Sequence, residues 1–183
     1  MRGAVLCFSL FLAPLAISQA PIRVAGLRPR PQLTVGDTIT LSATPSTVSF
    51  ALIPGGVTSG SAPVSITTSW AGISLLSNLY LYASLGSSTA ALSGGSPVVY
   101  NIPSSHVYGS DPSGGIVNSM TAFTGTNPAN GSTASLTLYQ LNTFLSLYGS
   151  HTDTLSLQID LTSQPQLPAA TYTGTLTLTA QAF

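Results

Sequence analysis

Residues 155–161, L-S-L-Q-I-D-L, alternate apolar and polar side chains without a break. Successive side chains of a β-strand point to opposite faces of a sheet, so the leucines and Ile159 would share one face. Ser156, Gln158 and Asp160 would share the other face. One apolar and one polar face is typical of an antiparallel sheet that covers a core on one side and meets water on the other.

The same alternation recurs through most of the chain. It predicts further strands at residues 38–43, 47–53, 64–70, 79–84, 98–102, 116–123, 136–141 and 171–183. Segments rich in glycine, serine, proline and asparagine separate these strands, and such residues form turns. Many short strands between such turns predict an all-β fold, an antiparallel β-sandwich with long Gly/Ser/Pro loops. Residues 136–148 also carry a weak helical spacing, so a short helix is the alternative there.

The first residues have the order of a secretory signal peptide. Arg2 gives a positive start, an apolar run follows from residue 3 to residue 17, and small residues come next. The run is short for a membrane span, which disfavours an uncleaved membrane anchor. Residues 1–18 are therefore predicted to be a signal peptide cleaved after Ser18. A cut after Ala20 is the alternative, although it would place Pro21 beside the cut.

The predicted mature chain has two parts. Residues 19–32 carry Pro29, Pro31 and three arginines, which predicts an extended N-terminal arm. Residues 33–183 are predicted to form a single sandwich domain. The only cysteine, Cys7, lies in the predicted signal peptide, so the mature chain would have no disulfide and no thiol nucleophile. A packed core must hold the domain together, and the 44% hydrophobic content of the chain supports one.

Charge is nearly absent. Only 4% of the residues are charged, against about a quarter in an average globular protein. The chain has neither lysine nor glutamate, and every arginine precedes the predicted sandwich. This leaves no basic surface to neutralise a phosphate backbone, which argues against nucleic-acid binding. A neutral surface rich in serine and threonine suits self-association or contact with neutral polymers.

Two histidines are the main candidates for chemistry. Asp153 follows His151 by two residues and Asp111 follows His106 by five, so a Ser-His-Asp set or a metal site could be built from them. However, neither H-E-x-x-H nor G-x-S-x-G occurs, and D-P-S-G-G lacks the closely spaced acids of a calcium loop. We therefore predict no catalytic, cofactor or metal site. Both histidines are interpreted as exposed loop residues and Asp111 as a turn former.

Aromatic residues suggest a second kind of site. Trp70, Tyr80 and Tyr82 are candidate glycan contacts, because aromatic platforms beside hydroxyl and amide groups can bind sugars. The alternative is that Trp70 is a core residue at a strand end and that the tyrosines fill sheet faces with their hydroxyls at the rim. A carbohydrate-binding or adhesion module is therefore the second functional hypothesis.

Two further stretches carry a family pattern. S-T-V-S-F-A-L-I-P-G-G at 46–56 is followed by A-P-V-S-I-T-T-S-W at 62–70, and the chain closes with L-P-A-A-T-Y-T-G-T-L-T-L-T-A-Q-A-F at 167–183. These stretches resemble the early and final strands of bacterial spore coat protein U-type and type 1 pilin-like secreted domains. The final strand matches the family pattern at Pro168, Tyr172, Gly174, Leu176, Leu178, Ala180 and Ala182. It departs from that pattern at Ala170, where the family commonly has glycine, and the mature chain lacks the cysteine pair of many pilins.

The resemblance implies an incomplete immunoglobulin-like sandwich, escorted by a periplasmic chaperone and exported by an outer-membrane usher. A neighbour's N-terminal strand would then fill its open groove. In this chain the arm offers Ile22, Val24 and Leu27 as the donated strand. The residues expected to contact a chaperone or a like subunit are Tyr172, Gly174, Leu176, Leu178, Ala180 and Phe183.

Together these observations predict a non-enzymatic structural or adhesive subunit. It would be secreted to the periplasm, the cell surface or the extracellular matrix of a bacterium. Its expected partners are like subunits or other surface proteins, without nucleic acid, without a cofactor and without a membrane span once the signal peptide is removed.

Overall fold

A computed structural model of the chain describes residues 4–10, 38–72, 78–142, 148–164 and 167–182, with residues 4–10 as backbone alone. The predicted arm at 19–32, most of the predicted signal peptide and Phe183 lie outside the described residues. The strands are β1 (Ala4–Leu10), β2 (Thr38–Thr44), β3 (Thr47–Leu52), β4 (Val57–Ser59), β5 (Val64–Ala71), β6 (Asn78–Leu85), β7 (Leu92–Gly94), β8 (Tyr100–Ile102), β9 (Val107–Asp111), β10 (Val117–Ala122), β11 (Gly125–Asn127), β12 (Ser132–Asn142), β13 (Tyr148–Asp160) and β14 (Tyr172–Ala182). A short 3-10 helix, Ser104–His106, precedes β9.

The strands form two sheets. The eight-stranded sheet has the order β11-β12-β6-β14-β1-β3, with β7 beside β14 and β8 beside β7. The six-stranded sheet has the order β10-β9-β13-β5-β2, with β4 also beside β13. All pairs are antiparallel except β1 with β14, which run parallel. The predicted fold class, an all-β sandwich, is confirmed.

Alternating burial explains why these segments are strands. In β5 every second residue is buried, from Val64 to Trp70. In β13 the same alternation buries Leu155, Leu157 and Ile159 and leaves the residues between them partly exposed. The apolar members of this set other than Trp70 pack with Phe50, Leu81 and others in one cluster between the sheets. Burial of this apolar surface is the main force that holds the sandwich together.

The outer faces are built from hydroxyl groups. Thr67 on β5 pairs directly with Thr152 on β13, and their hydroxyl oxygens lie 3.2 Å apart. Cross-strand threonine pairs of this kind stabilise a solvated sheet face modestly. They supply the polar surface that charged residues provide in most proteins.

Several predicted boundaries differ from the structure. Residues 98 and 99 precede β8, and Val98 and Val99 are 56% and 62% exposed, because the strand starts only at Tyr100. The short strands β4, β7, β9 and β11 were not predicted, since they span only three to five residues and contain glycine, serine or aspartate. In the segment 136–148 the structure continues β12 to Asn142 and begins β13 at Tyr148; residues 143–147 are outside the described part. Where the chain is described, none of it forms a helix of the length and hydropathy that crossing a membrane requires.

We expect side chains on the buried face of β13 to contribute much more to the free energy of unfolding than side chains on its exposed face. Leu155→Ala removes a side chain that is 0% exposed and should lower the free energy of unfolding by about 2–5 kcal/mol. The neighbouring Thr154→Ala keeps the backbone and changes an exposed side chain, so it should stay within about 0.5 kcal/mol of the parent. Urea unfolding followed by tryptophan fluorescence measures both. Equal effects from the two variants would contradict the assigned faces.

Candidate functional site

The position between β3 and β14 is the candidate site. The backbone of β1 occupies it, with residues 4–9 antiparallel to residues 52–47 of β3. On its other side, residues 7–10 run parallel to residues 173–176 of β14. Among the described strand pairs, β1 is the only neighbour of β3, so it connects β3 to the rest of the eight-stranded sheet.

Residues on both sides of this position belong to the core. Val48 and Phe50 of β3 are 3% and 1% exposed, and Leu176 of β14 is 0% exposed. Directly paired residues on neighbouring strands point to the same face of a sheet. A strand in this position therefore needs apolar side chains at every second residue, at the positions that pair with Val48 and Phe50.

The occupant of the position lies inside the predicted signal peptide. Removal of residues 1–18 would leave residues 47–52 of β3 and residues 173–176 of β14 without the strand that pairs with both. Unpaired N–H and C=O groups along a strand edge are a template for pairing with another chain. The site can thus bind an extended segment through main-chain hydrogen bonds.

The predicted assembly residues of β14 play different parts in the structure. Leu176 and Leu178 lie in the core, and Ala180 packs against it. Gly174 is required by close packing, because a Cβ there would collide with the carbonyl oxygen of Ala91. Phe183 lies outside the described residues. The strand thus faces the core with its predicted contact residues, beside the position that β1 occupies.

Tyr172 fastens the start of β14. Its ring is buried, and its hydroxyl donates a hydrogen bond of 3.0 Å to the carbonyl oxygen of Pro168. Burial raises the pKa of Tyr172, and the neighbouring Tyr100 raises it further. This hydrogen bond links the loop before β14 to the first residue of the strand. Because the Tyr172 side chain is buried, it is not available at the surface.

The candidate glycan residues are not gathered into one exposed platform. Trp70 is 7% exposed and packs against Leu79 in a small second apolar cluster. Tyr80 and Tyr82 stack on each other with ring centroids 5.8 Å apart, so one face of each ring is covered. Tyr82 is only 4% exposed; burial, followed by the effect of Tyr80, raises its pKa. The hydroxyl of Tyr80 accepts a hydrogen bond from Gln140.

The two histidines lie far apart. His106 is level with Asp160, which is nine residues from His151 along β13, a separation of ~30 Å. His106 Nδ1 lies 2.9 Å from the carbonyl oxygen of Asp160 and donates to it, and His106 Nε2 accepts from Gln164 at 2.6 Å. Hydroxyl and amide donors of Thr162 lower the pKa of the exposed Asp160 carboxyl. The interpretation of His106 as an exposed loop residue is wrong, because both ring nitrogens are engaged and the ring is half-buried.

The interpretation of His151 as an exposed loop residue is also wrong. His151 lies within β13, where its ring stacks on Tyr139 with centroids 3.9 Å apart. Asp111 forms a turn, since its Oδ1 accepts hydrogen bonds from the Ser113 hydroxyl and the Gly114 amide, and its side chain, like that of Asp153, is 0% exposed. The parity of 155–161, extended back along the strand, already places residues 153 and 151 on the apolar face. That signal could have located the cluster from sequence.

These groups do not resemble a metal centre. Within the described ranges, no group of three or more histidine, cysteine or acidic side chains is arranged to hold a metal ion. The arrangement is a buried polar cluster at one end of the core.

Comparison with known proteins adds no assignment. No protein-family model matches the chain, and searches of curated proteins and of solved structures find no significant match.

The hydrogen bond of Tyr172 allows a direct test of its role. Tyr172→Phe removes the hydroxyl and leaves the Pro168 carbonyl without this donor, so the free energy of unfolding should fall by about 1–2 kcal/mol. Tyr100→Phe is the matched control, since Tyr100 is 40% exposed, and should change stability by less than about 0.5 kcal/mol. Thermal and urea unfolding of the two variants should separate them; a stable Tyr172→Phe protein would show that the contact contributes nothing.

Proposed function

We propose that the chain is an exported, non-enzymatic β-sandwich that acts as a structural or adhesive subunit of a bacterial surface or matrix assembly. In this proposal, subunits join by β-strand addition between β3 and β14. The proposal rests on one observation above all. The strand β1 lies between β3 and β14 and pairs with both, and it belongs to the predicted signal peptide.

The apolar residues beside the position support this mechanism. Once the predicted signal peptide is removed, the core residues Val48, Phe50 and Leu176 lose the strand between them. Exposed apolar surface and unpaired backbone groups along one groove both favour the uptake of an extended strand.

The N-terminal arm of a second copy is the proposed donor. Ile22 and Val24 are two residues apart, so in an extended strand they point to the same side. They can therefore occupy two successive positions that pair with Val48 and Phe50. Arg23 then points to the solvent side, where its charge costs little.

The neutral surface supports close approach of like subunits. The described residues contain neither lysine nor arginine, and net charge is zero for the whole chain. Identical subunits therefore repel each other weakly. A few exposed apolar side chains, including Val98 and Val99, add to the same tendency.

The glycan-binding alternative has less support. Trp70 is buried, and the stacked Tyr80–Tyr82 pair offers limited ring surface. A depression of about 500 Å³ at the end of β6 is lined by serines, two glycines, Leu85, Asn130, Thr133 and Thr177, without an aromatic ring. Glycan-array binding that is lost in Tyr80→Ala would favour this alternative.

Strand addition is tested with two forms of the same protein. The form beginning at residue 19 should associate, in a concentration-dependent way, on size-exclusion chromatography and in electron micrographs. The full chain, which keeps Ala4–Leu10, should remain monomeric because its position between β3 and β14 is occupied. A processed protein that is strictly monomeric and as stable as the full chain would overturn the proposal.

Variants of the arm identify the donor. Ile22→Asp and Val24→Asp place a charge on the side that enters the groove and should abolish association. Arg23→Asp changes charge at the intervening, outward position and should retain it. Loss of association in all three variants would point to a charge effect and would contradict the assigned register.

A further inference from the structure

Two of the four aspartates of the chain are buried side by side. Asp111 ends β9 and Asp153 lies in β13, and both are 0% exposed. The register of β9 with β13 and the hydrogen bond from the Thr154 amide to Asp111 Oδ1 place the two carboxyl groups next to each other on the core face, where a proton on one can bond to the other. A buried charge is costly unless it is paired or hydrogen-bonded, so the distribution of protons in this pair matters for the fold.

One oxygen of Asp111 accepts several hydrogen bonds. Its Oδ1 accepts hydrogen bonds from the hydroxyl of Ser113 at 2.6 Å, from the amide of Thr154 at 3.1 Å and from the amide of Gly114 at 3.3 Å. Several donors on one carboxylate oxygen stabilise the negative charge. The other oxygen, Oδ2, is buried without a hydrogen-bond partner among the described residues.

The oxygens of Asp153 are buried without hydrogen bonds. Neither of its oxygens has a hydrogen-bond partner in the described part of the chain. A proton on Asp153 would give Asp111 Oδ2 the donor that it lacks. Consistently, burial, followed by the charge of Asp111 and the hydrogen bond to it, raises the pKa of Asp153 to about 7.

Few other titratable groups face the pair. From β13, His151 Nε2 lies 3.0 Å from Asp153 Oδ1, which is an ion-pair distance when the imidazole is protonated, although the two atoms do not meet hydrogen-bond geometry. From β12, Tyr139 stacks on His151, and its pKa is raised by burial and then by the charge of Asp153. The pairing partner of Asp111 on β10 is the apolar Val117, and β5 contributes the buried hydroxyl of Thr68 beside His151. Lysine and arginine do not occur in the described residues, so no cation of that kind offsets a second negative charge.

The pair also lies where the two sheets are tied together. The turn after Asp111 leaves the six-stranded sheet and reaches β12 of the eight-stranded sheet, where Gly115 forms a β-bridge with Tyr139. Gly114 packs so closely on the carbonyl of Leu138 that a Cβ would collide with it. The hydrogen bonds of Asp111 hold this turn to β13, and thereby hold one sheet to the other.

We propose that the Asp111–Asp153 pair is a proton-operated lock between the two sheets. The lock is closed while the pair holds one proton and loosens when both carboxyl groups are ionised. This inference does not depend on the proposed function.

The direction of the pH effect follows from proton linkage. An aspartate whose pKa is raised in the folded state binds its proton more tightly there than in the unfolded chain, where the value is near 3.8. Its stabilising contribution is complete below that value and is lost as the pH rises towards about 7. The fold should therefore be more stable at pH 5 than at pH 8.

Thermal unfolding of the full chain tests the lock. We expect the Tm to fall by about 5 °C between pH 5 and pH 8. Asp153→Asn donates permanently to Asp111 and should abolish that fall, with a Tm at pH 8 above that of the parent. Asp160→Asn is the matched control on the same strand and should keep the fall. A flat or rising parental Tm, or an unchanged slope in Asp153→Asn, would overturn the proposal.

Three further measurements test whether the pH effect belongs to the carboxyl pair or to His151. His151→Gln should lower the Tm at all pH values but keep the slope, because the shared proton belongs to the two carboxyl groups. Carbon-13 NMR of the Asp153 carboxyl in the parent protein should show a titration midpoint near 7, whereas a midpoint near 4 would refute the lock even if a variant failed to fold. In the parent protein, amide exchange at Gly114 and Gly115 should accelerate from pH 5 to pH 8 by more than the intrinsic increase in exchange rate. In Asp153→Asn it should show the intrinsic increase alone.

Discussion

The eight-stranded sheet depends on one strand that bridges β3 and β14. In the described pairings β3 has no other strand neighbour, so the sheet path ends at β14 if the bridge is absent. The side chains of β3 nevertheless belong to the core, and the segment is also tied to the loop after β4, where the Ser61 amide donates to the Ser49 carbonyl. In the proposal, removal of residues 1–18 takes this one strand away, and the strand that replaces it joins the domain to a second copy of the chain.

Few charges limit the ways in which buried polar groups can be satisfied. Elsewhere in the core, neutral groups pair with each other: the Ser84 and Ser135 hydroxyls lie 2.7 Å apart, and Asn127 donates to Ser84. Such pairs leave no net charge to compensate. The acid pair differs because its balance requires a proton, and this makes it the part of the core that is sensitive to solution conditions.

The sequence predicts the sandwich well and the sites less well, for identifiable reasons. Long alternating runs such as 155–161 are recognisable because side-chain parity is a local property. The strand β9, V-Y-G-S-D, has turn-forming residues and became a strand only through pairing with β13 and β10. The position of β1 between β3 and β14 could not be predicted, since the same apolar run is also typical of a signal peptide. Asp111 and Asp153 meet through sheet register, which is a tertiary property, although parity alone could have placed Asp153 on the core face.

The proposed strand-binding edge and the acid pair both follow from the scarcity of charged side chains. The described residues contain neither lysine nor arginine, so flexible cations of that kind do not balance the buried acids of the sandwich, and the arginines of the chain all precede β2. In the two proposals, backbone hydrogen bonds between strand edges join subunits, and a proton neutralises one of the two buried carboxylates. Both interactions are directional and operate in apolar surroundings, where an unpaired group is costly. Small changes at either place, the loss of one strand or of one proton, should therefore have large effects on an otherwise neutral and tightly packed sandwich.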